Sequence, residues 1–178
     1  MAGFSDKEKV MDPIEIRYKG IIDWGGLYQL IRRWFADHKY TYIESRYKDK
    51  VASPFGNEVE IKATPFRRVN EFIKYTVKIE TKLWDFKEFE TTINGEKKHV
   101  TDGRMFIKIE AAVEFDYNKR FKTKFEKKLF KWLTTILRNY YGLKHFDNLA
   151  YSVYDLQKEI KEFLNMESQH YGYKGFPG

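Results

Sequence analysis

Cysteine is absent from this chain. Disulfides, thiolate nucleophiles and Cys-ligated zinc are thereby excluded. Proline is scarce, 4 in 178 residues. No apolar run approaches the roughly 18 residues a membrane helix needs. Met1–Val10 is polar and has no apolar stretch, which predicts no secretory signal. Catalytic signatures are missing too. There is no nucleophile elbow, no Walker phosphate loop and no dinucleotide-binding glycine pattern. His38, His99, His145 and His170 have no histidine or carboxylate partner at metal-ligand spacing. Glu58, Glu60, Glu80, Glu110, Glu114 and Asp116 fall mostly in alternation with lysines, as on the wet face of a sheet. The expectation is a protein with no catalytic residues, no metal and no cofactor, and not an enzyme.

What the chain does have is rings and positive charge. Aromatic residues make up 18% of it, and 33 Lys and Arg against 26 Asp and Glu leave a net charge of +7. Disordered chains are poor in rings, so a folded body is expected. A basic balance favours anionic partners.

The pattern along the chain predicts one α+β domain over residues 13–166. A polar lead-in, 1–12, precedes it and an aromatic, Gly-rich tail, 167–178, follows. Ile14 to Lys19 alternates apolar and charged residues, the period of a half-buried strand. Asp23 can cap a helix carrying Leu27, Leu30, Ile31, Trp34 and Phe35 on one side and ending near His38. Strand patterns follow. They run over Tyr40–Lys48, then from Val59 to Ala63 up to the interruption at Pro65, then from Ile73 to Leu83. Phe86–Ile93 meets the hairpin signal Asn94-Gly95. A bulge or second turn is expected at Asp102-Gly103, before the alternation Met105, Ile107, Ile109, Ala111, Val113. Alternation of this kind means a sheet wet on one face, hence antiparallel. Phe125, Leu129, Trp132, Leu133, Ile136, Leu137 and Tyr140 form a helical stripe expected to cover it. Gly142 stands at a capping position, and Ser152 is expected to open a last helix with Val153, Leu156, Ile160, Phe163 and Leu164 inward.

The expected fold is therefore a curved antiparallel sheet of about five to six strands. One helix follows the first strand, and two C-terminal helices pack on one face. The order is that of helix-grip, START-like ligand-binding proteins, an analogy of fold alone.

Three surfaces stand out. Lys119, Arg120, Lys122, Lys124, Lys127, Lys128, Lys131 and Arg138 form a basic stripe opposite Trp132, suited to phosphates of nucleic acid or the ribosome. Phe72, Trp84, Phe86 and Phe106 have the parity opposite to the buried strand residues, as an apolar contact patch would. The tail carries Tyr171, Tyr173, Lys174 and Phe176, rings that can dock on a neighbour's sheet edge or groove. The leading expectation is a non-enzymatic interaction or structural protein that self-assembles through this tail, its partner being protein, itself included. A nucleic-acid or ribosome binder, and an apolar-ligand binder with a helix-grip cavity, are the alternatives. Membrane-surface binding is not expected.

The segment from Ser5 to Gly20, SDKEKVMDPIEIRYKG, and the tail Tyr171-Gly172-Tyr173-Lys174-Gly175-Phe176 resemble a protein family of small-genome archaea, of nanoarchaeal and woesearchaeal type. Leu83-Trp84-Asp85, Asn94-Gly95-Glu96-Lys97-Lys98 and Leu156-Gln157-Lys158-Glu159-Ile160 extend the resemblance over nearly the whole chain. It implies an archaeal, cytoplasmic setting and carries no activity with it.

Overall fold

The structure is a computed structural model that describes residues 7–53, 56–93, 96–118, 123–137 and 143–166. Among these, two strands come first, β1 (Lys7–Lys9) and β2 (Ile14–Ile22). Helix α1 (Trp24–Asp37) follows. Five strands come next: β3 (Glu44–Ser53), β4 (Gly56–Ala63), β5 (Phe66–Arg68), β6 (Ile73–Ile93) and β7 (Glu96–Phe115). Helices α2 (Lys124–Leu137) and α3 (Leu143–Phe163) complete the described chain. The sheet is open and antiparallel throughout, in the order β1-β7-β6-β4-β3.

The count reaches seven because two short strands were not expected, β1 within the polar lead-in and β5 after the interruption at Pro65, while the stretches expected at Ile73–Leu83 and Phe86–Ile93 form the single strand β6. β1 and β2 share the free edge of β7, separated by a break that holds Pro13. Likewise β4 and β5 share the free edge of β6, separated at Thr64-Pro65. Proline has no N–H to give a ladder, so each break falls where a strand at this depth can leave the sheet.

The irregularity expected at Asp102-Gly103 lies across the ladder instead. β7 runs straight through those residues, while the register of β6 shifts between Trp84 and Lys87. There Asp85 takes a positive φ of 55°, a conformation aspartate tolerates better than most residues. Gly20, with φ 141°, sits opposite Gly103 near the same level of the sheet.

One face of the sheet is apolar. Ile16 of β2, Tyr75, Val77, Ile79 and Leu83 of β6, and Met105, Ile107, Ile109 and Val113 of β7 are all buried there. Leu27, Ile31, Trp34 and Phe35 of α1 and Leu149, Val153, Leu156 and Ile160 of α3 close over them in one cluster. Helix α1 begins where the sequence places it, with the Asp23 carboxylate accepting the Gly26 N–H at 2.8 Å. Gly26 has a second role. A Cβ there would come within 3.0 Å of the Phe163 ring of α3, so glycine lets the two helices approach.

Helix α3 starts nine residues before the expected opening at Ser152. Ser152 lies inside it and donates its hydroxyl to the Asn148 carbonyl at 2.8 Å, the other way a helix accommodates serine.

The other face of the sheet is wet and held by a lattice of ion pairs. Lys62 meets both Glu60 and Glu80 (3.0 and 3.1 Å), Lys82 meets Glu80 (3.0 Å), and Lys108 meets Glu110 (2.8 Å). Lys7 and Lys74 converge on Glu114, which also accepts from the Thr76 hydroxyl. The Lys108 hydrogen bond holds the Glu110 carboxyl below the usual carboxylate range. Burial would raise those of Glu80 and Glu114, but their lysine partners outweigh it and leave both lowered.

Candidate functional site

Helix α2 is the largest departure from the expected packing. Its start is well made: Thr123 and Glu126 form a reciprocal capping box, each side chain accepting the other's backbone N–H at 3.1 and 2.9 Å. The sequence carries the Thr-x-x-Glu signal for this start. The described side chains of the helix's apolar stripe, however, do not cover the sheet. Phe125, Leu129 and Trp132 are 75%, 49% and 59% exposed. α3 and α1 have already filled the apolar face, so α2 has no core left to enter. It touches the body through Phe130, whose ring stacks on Phe72 with centroids 6.3 Å apart. Phe130 lies roughly 140° around the helix from Phe125, at 100° per residue. That contact therefore leaves Phe125, Leu129 and Trp132 facing outward.

Of the basic stripe, Lys124 and Lys128 are exposed on α2. Lys127 and Lys131 belong to the same helix, while Lys119, Arg120, Lys122 and Arg138 lie outside the described residues. Tyr171, Tyr173, Lys174 and Phe176 lie outside them as well.

The aromatic patch is divided. Phe72 belongs with Phe130 at one end of the sheet. Trp84 and Phe106 meet on the wet face at the other end, ring centroids 6.4 Å apart, with the Arg17 guanidinium 5.7 Å above Phe106. Phe86 lies in the shifted stretch of β6 beyond Trp84.

A third group went unnoticed in the sequence because its members are far apart along the chain. The Arg67 guanidinium lies over the rings of both Tyr40 and Tyr75 (5.1 and 5.2 Å) and donates to the His38 carbonyl at 3.1 Å. The Tyr75 hydroxyl meets His145 Nδ1 at 2.7 Å. The Trp34 indole stacks on His38 and donates its N–H to Asp155 at 3.1 Å, linking α1 to α3. Burial lowers the His145 pKa, and the nearby Lys144 adds to this, which favours the neutral ring. Burial also pushes the Tyr40 hydroxyl up to about 12.

This group reads as structural mortar. The Tyr40 hydroxyl is buried without a hydrogen-bond partner. A buried unsatisfied hydroxyl costs about 1–3 kcal/mol, so Tyr40→Phe should raise stability by up to about that amount. Arg67 stacks on the ring and not on the hydroxyl, so its contact survives. A chemical melt in urea checks this, and a lower midpoint for Tyr40→Phe would show that the hydroxyl has a partner in solution.

Among the described residues, no three His, Cys, Asp or Glu side chains gather as metal ligands would, and no helix is long and apolar enough to cross a membrane. The fold and surfaces define an antiparallel α+β protein with a solvent-facing amphipathic helix. No protein-family model matches the sequence, and no curated protein is significantly similar to it.

Proposed function

We propose that this is a non-enzymatic interaction protein that self-assembles, with the apolar stripe of α2 as the seam between copies. The outward exposure of Phe125, Leu129 and Trp132 carries this reading. Their spacing of four and three residues is that of a helix pairing along a seam, and Leu133, Ile136 and Leu137 continue it in the sequence. Leaving large apolar side chains in water forfeits about 1.5–3 kcal/mol each. A second copy presenting the same stripe recovers that loss from both sides.

Charge sets the sign of the salt effect. Each copy carries +7, and Lys124 and Lys128 flank the seam, so two copies repel. Salt screens that repulsion and leaves the apolar contact in place, so assembly should strengthen as ionic strength rises. A complex with nucleic acid behaves in the opposite way.

Size-exclusion chromatography with light scattering tests the proposal. The wild-type chain should run as a multiple of its 21.5 kDa, and Trp132→Glu should return it to one chain with unchanged circular dichroism. A wild-type monomer, or a Trp132→Glu variant that assembles as before, overturns it. The rings of the tail, Tyr171, Tyr173 and Phe176, are a second contact in the same reading. Deleting residues 168–178 measures their share of the assembly. The proposal places the protein in the archaeal, cytoplasmic setting that the family resemblance implies.

A further inference from the structure

The wet face of the sheet changes character at one end. Over most of its area lysines and glutamates alternate across the strands, as in the row Glu15, Lys108, Glu80. The next row is Arg17, Phe106, Lys82, and the one beyond it is Lys19, Arg104, Trp84. Three adjacent strands thus place four cations and two rings in a two-by-three block, bordered by carboxylates: Glu15 pairs with Arg17 at 3.0 Å, Glu80 with Lys82 at 3.0 Å and Asp85 with Arg104. Ile16, Leu83, Met105 and Ile107 alternate with these residues and are buried on the opposite face, so the orientation of the block is set by the core.

The block is shaped as well as charged. Arg17, Lys19, Lys82, Trp84, Arg104 and Phe106 line an open depression of about 540 Å³. The register shift of β6 and the positive φ of Asp85 follow directly after Trp84. Asp85 accepts from Arg104 at 2.9 Å and holds that guanidinium beside the Trp84 ring. Arg17 and Arg104 remain 77% and 60% exposed, so both can reach a ligand.

We infer that this block is a binding site for single-stranded nucleic acid. The half-buried Trp84 and Phe106 rings, the latter with Arg17 over it, offer stacking surface to unpaired bases, and the cations around them match the phosphates that link those bases. A duplex hides its base faces within its own stack and cannot use the rings. The site is separate from the α2 seam and does not depend on it.

Fluorescence anisotropy of short labelled oligo(U), oligo(dT) and a duplex tests the inference. Either single strand should bind more tightly than the duplex, and affinity should fall with salt by a log–log slope of about −0.7 per phosphate contacted. Trp84→Leu and Phe106→Leu keep an apolar side chain but remove the ring. Each should weaken binding by about fivefold to a hundredfold with the slope unchanged. Arg17→Gln and Lys19→Gln should each make the slope shallower by about 0.7. Lys124→Glu with Lys128→Glu, on α2, and the Trp132→Glu variant should both bind as the wild type does. Equal binding of duplex and strand, ring variants that bind like the wild type, no binding at low salt, or loss of binding on charge reversal in α2 would each overturn the inference.

Discussion

Phe35→Ala should lower the stability of the fold by about 3–5 kcal/mol, the usual cost of deleting a fully buried phenyl ring. Phe35 is completely enclosed. Its ring makes edge-on contacts with Trp34 and Tyr40, centroids 5.1 and 5.3 Å away, and a tilted one with Tyr42 at 5.8 Å. Trp34 is in turn tied to α3 through Asp155. These neighbours are rings held by other contacts, so they cannot collapse into the space, and the cavity term should come near its full value. A chain of this size loses about 2–4 °C in melting temperature per kcal/mol, which gives a fall of about 6–20 °C. Thermal melting followed by circular dichroism reads it directly. A fall under about 3 °C would mean that α1 does not sit on the sheet as described.

Leu129→Ala should act on assembly and spare the fold, the reverse of Phe35→Ala. Leu129 is about half exposed in the single chain, so its loss leaves no cavity there. In a symmetric pair the substitution occurs twice in one interface. Burying a leucine side chain is worth about 1.5–3 kcal/mol, so the pair should lose up to about 3–6 kcal/mol. At 1.4 kcal/mol per tenfold, the dissociation constant should rise by about a hundredfold to ten-thousandfold. Sedimentation equilibrium of both proteins measures the ratio, and urea melts under monomeric conditions should coincide. An unchanged dissociation constant would take Leu129 out of the seam.

The two substitutions differ in effect because the same kind of pattern leads to different places in the fold. The stripes of α1 and α2 are both amphipathic, and that of α2 read as cover for the sheet. In the structure Leu27, Ile31, Trp34 and Phe35 of α1 are buried. Phe125, Leu129 and Trp132 of α2 face out instead. A periodic stripe states that a helix has an apolar side, and it is silent on which surface that side will meet. α3, extended by nine residues beyond its expected start, provides the cover that had been assigned to α2.

The sheet divides in a similar way. Parity alone separates the buried residues from Trp84 and Phe106, because alternate side chains of a strand point to opposite faces. It could not show that Arg17 and Lys19, more than sixty residues earlier in the chain, complete the same two rows. That depends on the register of β2 against β7, a non-local pairing. The Arg67, Tyr40, Tyr75 and His145 group is non-local in the same sense, and nothing in the spacing of its members points to it.

The sequence by itself determined the α+β class, the antiparallel sheet with one dry face, the α1 cap at Asp23 and the absence of any cysteine chemistry. Each of these rests on local periods, single turn-forming residues or composition, which the chain carries wherever it goes. Tertiary structure decided which helix covers the sheet, where the strands break and shift, and which distant cations come to lie beside Trp84 and Phe106. Those outcomes depend on competition among elements for one limited apolar face, and on pairings between segments far apart in the chain.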